Sequence, residues 1–156
     1  MNVKEFVEKF EKARDKEKFV SEHVIVDYIP YEEKISACKN IIDICMYKEV
    51  NGEKIFRYNT PTRYVLFVLK MVQLYTDIEL SSENPIADFN DLNRVHLFDK
   101  IASELGDEYL DFNSVMKMVY DDTVSTEESV VFNLNSKLKV FLGLIDRMVA
   151  IADEKQ

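Results

Sequence analysis

The chain of 156 residues is 47% apolar and 31% charged, with 29 acidic and 20 basic side chains giving a formal net charge of −9. That length fits one domain able to bury roughly 70% of the surface its unfolded chain exposes. Three glycines and three prolines leave little for long loops or for a glycine-rich phosphate cradle, and favour helices over sheet.

The N-terminal residues carry charges every few positions and lack the apolar stretch of a secretory signal. A first helix is expected from Asn2 to about Arg14, because Val3, Phe6, Val7 and Phe10 recur at the spacing of one helical face. A short helix follows at Glu17–Val24. The apolar run Val24–Pro30 reads as extended, since Pro30 biases Ile29 away from helix. Tyr31–Tyr47 is a clear helix with Ile35, Cys38, Ile41, Ile42, Cys45 and Met46 on one side. Glu32, Glu33, Lys34, Lys39 and Asp43 are expected to face water. Cys38 and Cys45 share that face ~10 Å apart at 1.5 Å per residue, too far for a disulfide. They read as small buried apolar residues of a reduced cytoplasmic protein.

Asn51-Gly52 between short apolar stretches is a strong signal for a two-residue hairpin turn. A lone hairpin is marginal, so it is expected to lie on the helices or to pair with another chain. Thr60 as cap and Pro61 in the first turn open the next helix. Its apolar run to Tyr75 falls short of the ~20 residues that cross a bilayer, and a helix apolar on nearly every side belongs inside a bundle. Tyr64, Phe67, Met71 and Tyr75 are read as core packing.

After the loop Ser81–Pro85, one or two short helices are expected, ended by Gly106. Another begins at Asp107 or Asp111 and carries Leu110, Val115, Met118 and Val119. Ser125-Thr126-Glu127-Glu128 resembles a cap with acids in the first turn. It predicts a separate last helix from about Glu127 to Asp153, packing on two neighbours or on a copy of itself. The expected architecture is all-α: a compact helical bundle around a buried central helix (about 60–76), with one small β-hairpin near 48–58, the whole of 1–156 forming a single helical domain.

Charge is unevenly placed. Residues 1–58 hold 11 basic and 12 acidic side chains, whereas residues 77–128 hold 14 acidic against three basic ones, a net of −11. Phosphate is repelled from such a stretch, so nucleic acid is not an expected partner. A basic protein surface is attracted to it, although a solvated, solubilising face is the simpler reading. The candidate partner-binding residues are Asp88, Asp91, Asp99, Glu104, Asp107, Glu108, Asp111, Asp121 and Asp122, together with Asn51 and Gly52, whose hairpin is suited to adding a strand to a partner.

Chemical motifs are missing. His23 and His96 lie in different segments, and neither has a second histidine at a helical metal spacing. Asp88–Asp99 has the flavour of a calcium loop, yet Leu92 occupies the fifth position and Asn93 the sixth, where glycine is needed. No phosphate-loop, dinucleotide or nucleophile-elbow pattern is present. No catalytic, cofactor-binding or metal-ligating residue is assigned, no cofactor is expected, and no enzymatic activity is expected.

The segments Phe19-Val20-x-x-His23, Tyr28-Ile29-Pro30-Tyr31-Glu32-Glu33-Lys34, Asn59-Thr60-Pro61-Thr62-Arg63-Tyr64-Val65-Leu66-Phe67 and Leu74-Tyr75-Thr76-Asp77-Ile78-Glu79, with the Asp121-Asp122 pair, carry a resemblance. They are similar to a set of small acidic proteins encoded by tailed bacteriophages and prophages of Gram-positive bacteria. The resemblance implies a phage gene and a non-enzymatic role, and it brings no catalytic residues. Arg63, disfavoured by the dipole in a first turn, is expected to pair with a carboxylate such as Asp77 or Asp122. Two functions compete. The preferred one is a virion structural or assembly component that docks on a phage structural protein or oligomerises with itself. The other is an acidic inhibitor of a host nuclease, presenting its carboxylates to a basic groove. Either places the protein in the host cytoplasm, the first also in the virion, with no membrane partner.

Overall fold

A computed structural model of the chain describes the backbone of residues 1–153 and the side chains of residues 1–145. The chain divides into two compact units, Met1–Val119 and Tyr120–Gln156. Among the described residues are seven helices and one two-stranded antiparallel sheet. The fold is therefore the expected all-α bundle with a small hairpin.

The first unit opens with α1 (Val3–Lys12), capped by Asn2, whose side chain accepts from the Glu5 N–H. Val3, Phe6, Val7 and Phe10 are all buried, as their spacing predicts. Helix α2 (Lys16–Ser21) is capped by Asp15. The segment between α2 and α3 is irregular, apart from an isolated bridge of Val24 to Thr76. Its backbone is tied to the end of α4 (Thr60–Tyr75), with Ile25 N–H donating to the Tyr75 carbonyl at 2.9 Å.

Helix α3 (Tyr31–Met46) runs directly into β1 (Tyr47–Val50), which pairs with β2 (Glu53–Phe56) in the register Tyr47↔Phe56 to Val50↔Glu53. Asn51 (φ 54°) and Gly52 (φ 82°) both adopt positive φ, as a type I′ turn demands. Only Tyr47 and Phe56 in the two strands are part-covered, and their rings meet edge to face at 5.6 Å.

Helix α4 buries Phe67, Val68, Leu69, Met71, Val72 and Tyr75, packing against α3, α5 (Pro85–Arg94) and α6 (Leu97–Leu105). Its first turn is wetter, and Tyr64 is exposed. Asn59, and not Thr60, is the capping residue: its side chain accepts from the Thr62 N–H at 3.3 Å. Asn84 repeats the device ahead of Pro85 in α5, accepting from Ala87 N–H. In both places asparagine supplies the acceptor and proline sits where its missing N–H is harmless. Gly106, at positive φ, closes α6 as expected.

The remaining helix, α7, runs without interruption from Asp107 to Asp153 and so carries from the first unit into the second. The separate helix start expected at Ser125–Glu128 does not exist. Thr126 Oγ1 instead donates to the carbonyl of Asp122 at 2.8 Å, satisfying its hydroxyl inside a continuing helix. From Asp107 to Leu142 there is no glycine or proline to stop the helix. Met148, Val149, Ile151 and Asp153, which the sequence places on the last helix, lie outside the described side chains.

Every buried apolar residue among those described lies at or before Met116, so the core belongs to the first unit. The caps generate a prediction. Asn59→Ala should lower the stability of the first unit by ~1 kcal/mol in urea unfolding followed by circular dichroism, and Thr60→Ala by much less. Equal effects would return the capping role to Thr60.

Candidate interaction surfaces

The nine candidate carboxylates are carried by three helices, α5, α6 and α7, and not all of them are directed to water. Glu108 faces inward from the first turn of α7, and three elements converge on it. Its Oε1 accepts from the Ile29 N–H at 2.9 Å and from the Tyr75 hydroxyl at 2.5 Å, while Oε2 accepts from the Lys34 ammonium at 2.9 Å. Lys34 also donates to Asp111, one helical turn along α7, and lies over the Tyr28 ring. The Lys34 side chain is only 1% exposed.

This corrects the expectation that Lys34 faces water. It sits at helical spacing with Cys38, Ile41 and Cys45, on the buried stripe of α3. An ammonium there requires nearby carboxylates, because an unpaired buried charge is prohibitive. Burial works against the charge of Lys34, but Asp111 and Glu108 outweigh it and raise its pKa above the ordinary 10.5. Burial likewise works against ionised Glu108. The Tyr75 hydroxyl, Lys34 and the Ile29 N–H together outweigh it and hold the carboxyl below 4.5. Burial, reinforced by Glu108, pushes the Tyr75 phenol up, so it stays a donor.

The other candidates are distributed among several elements. Asp88, on α5, accepts from the Ser81 N–H and fixes the preceding loop. Asp91 is half-buried on the same helix. Asp99 and Glu104 are exposed on α6 and border a shallow depression with Glu17 and Lys100, and Asp99 also faces His96 at 3.4 Å. Asp107 is exposed at the start of α7, while Asp121 and Asp122 are exposed in the second unit. Asp77 is engaged by His23 Nδ1 at 2.9 Å, and the imidazole is flanked by the rings of Phe6 and Phe19. Residues 88–93 are helical within α5, so they do not form the loop that a calcium site of that type needs. Among the described residues no group of three or more His, Cys, Asp or Glu side chains is arranged to hold a metal ion.

Cys38 and Cys45 are free and buried, and burial pushes the Cys38 thiol up to about 12. Thiols held protonated in this way are poor nucleophiles. An open groove of about 330 Å³ lies between α3, α4 and the loop before α5, lined by Ile41, Ile44, Leu66, Leu69 and Leu80. Lys70 on its edge is hydrogen-bonded to Gln73. No helix among the described residues is long and apolar enough to cross a membrane.

Two surfaces expose large apolar side chains to water. The hairpin is one: among the described residues β1 and β2 form a sheet of two strands, and Val50 and Ile55 are exposed. Asn51 and Gly52 form its turn. The other is α7 within the second unit, where ten large apolar residues between Val130 and Ile145 are exposed. The helix that the sequence predicts from about Glu127 to Asp153 already carries this surface, and only its separate start is absent.

Compared with known protein-family models, curated proteins and solved structures, the chain matches none of them.

The inward-facing network generates a prediction. Glu108 titrates lower folded than unfolded, so its contribution is full above 4.5 and disappears as the pH falls through its folded value. Lys34 titrates higher folded than unfolded, so its contribution is full below 10.5 and disappears as the pH rises through its folded value. Wild-type stability is therefore expected to be flat between these limits with respect to this pair. Lys34→Met should lower stability at neutral pH by ~3 kcal/mol, since it leaves the Glu108 charge short of its cation. Glu108→Gln should weaken the acid limb of the curve. Urea midpoints measured across pH check both, and an acid limb unchanged by Glu108→Gln would count against the assignment.

Proposed function

We propose that this is a non-enzymatic, phage-encoded protein–protein interaction protein that serves as a virion structural or assembly component. The observation that carries the reading is the apolar surface of α7 in the second unit. Ten large apolar side chains are exposed there within 16 residues, and only Lys137 and Lys139 are charged from Ser129 to Ile145. Soluble monomers seldom leave a contiguous patch of that kind in water, and larger patches mark interaction sites. The hairpin adds a second place of contact, through backbone donors and acceptors and not through side chains. The resemblance to small acidic phage proteins supplies the setting.

Less supports the nuclease-inhibitor reading. A nucleic-acid mimic needs its carboxylates together on one face. Glu108 and Asp111 are engaged with Lys34, Asp88 fixes a loop and Asp77 holds His23. The charge of residues 77–128 is thereby divided between internal bonds and separate helices.

The test is affinity capture of the tagged chain from cells infected with the encoding phage, with purified virions probed in parallel. Capsid, tail or connector proteins should be recovered, and the chain should be detected in virions. Recovery of a host nuclease together with absence from virions would overturn the proposal.

A further inference from the structure

We infer that the exposed apolar face of α7 in the second unit is a self-association seam, and that its occupant is the same face on other copies of this chain. The inference rests on the interaction reading above and names the partner. Val131, Leu134, Leu138, Phe141 and Ile145 are spaced alternately three and four residues apart, and each is 40–61% exposed. That alternation is the 3.5-residue period of a coiled-coil seam, in which these residues take the a and d positions. By sequence Met148 continues it, and Glu127 ends it on the other side. A seam of this kind is complementary to itself, because each layer can be filled by the same residue from another copy.

The area is sufficient. Val130, Leu142 and Leu144 flank the seam at its g and e positions and are about half exposed. With the five seam residues they present roughly 800 Å² per chain at ~100 Å² each, about what each partner contributes to a standard stable interface. Two helices would cover the a and d positions and leave these flanking residues in water. Three or more copies cover them as well, so an oligomer above the dimer is expected. Charge permits the assignment: Ser129–Ile145 holds no carboxylate, and its two lysines fall at a flanking g position (Lys137) and at b (Lys139), so the a and d layers carry no charge.

The full-length chain should be run by size-exclusion chromatography with light scattering, and by sedimentation equilibrium, at tens of micromolar. A mass of at least three chains is expected, against 18.3 kDa for one. The double variant Leu134→Glu/Leu138→Glu keeps good helix formers and should fall to a single chain, its association weakened at least ~tenfold. Phe132→Gln, on the opposite side of the helix, should leave the mass unchanged. Neither set touches the buried core, so the urea midpoint of the first unit reports that folding is intact. A wild-type mass of one chain would overturn the inference, as would an oligomer indifferent to the double variant. Capture of a phage structural protein by a monomeric chain would remove self-association and leave the interaction reading standing.

Discussion

Among the described residues Lys34 is the most deeply buried charged side chain, and the arrangement of the first unit follows from how it is paired. Its ammonium comes from the buried face of α3 and its carboxylates from the first two turns of α7. Glu108 then uses its second oxygen to receive the Tyr75 hydroxyl from α4 and the Ile29 N–H from the irregular segment before α3. Four separate parts of the chain thus meet at one carboxylate. A pairing of this kind adds little net stability over an apolar equivalent, because desolvation offsets most of the attraction. Its effect is on specificity: a slip of α7 along α3 would leave both charges buried and unpaired.

Aromatic packing agrees with that register. Phe112, one turn beyond Glu108, packs against Phe67 and Tyr75 of α4 with ring centroids 5.6 and 6.1 Å apart. The polar network and the apolar contacts therefore specify the same placement of the proximal part of α7 against the central helix. Agreement between independent local preferences is what gives a sequence a single folded state.

Much of this was legible in the sequence, for reasons that can be located. The α1 stripe, the apolar run of α4, the Asn51-Gly52 turn and the Gly106 stop each rest on local steric or periodic signals, and each lies where those signals put it. The structure departs from the local signals where they compete with context. Residue type puts Lys34 in water, whereas its spacing from Cys38, Ile41 and Cys45 puts it on the apolar stripe; the partner that makes this tolerable lies 74 residues away and has no local signature. Ser125–Glu128 has the composition of a cap, but capping residues end a helix only if the preceding residues leave it, and nothing there forces them to. Among the candidate site residues, the turn Asn51-Gly52 was visible because its geometry is local. The inward orientation of Glu108 was not, because a run of carboxylates does not reveal which one faces a lysine on another helix.

The two units meet opposite requirements. The first buries its apolar residues within itself and surrounds them with charge. The second has no other element among its described residues against which α7 could bury Val131, Leu134, Leu138, Phe141 and Ile145. Isolated helices draw most of their stability from packing an apolar face, and the proposed seam would supply that packing from another copy. A molecule at −9 repels its copies at distances up to the screening length, about 8 Å at physiological salt, which opposes contact over most of its surface. Apolar attraction acts only at contact and is least opposed where the positions that meet are themselves uncharged. Between Ser129 and Ile145 the chain carries two lysines and no acid, and there the apolar residues recur at the period that lets identical helices interlock. Net charge thus limits where copies can meet, and the spacing of apolar residues along α7 determines how.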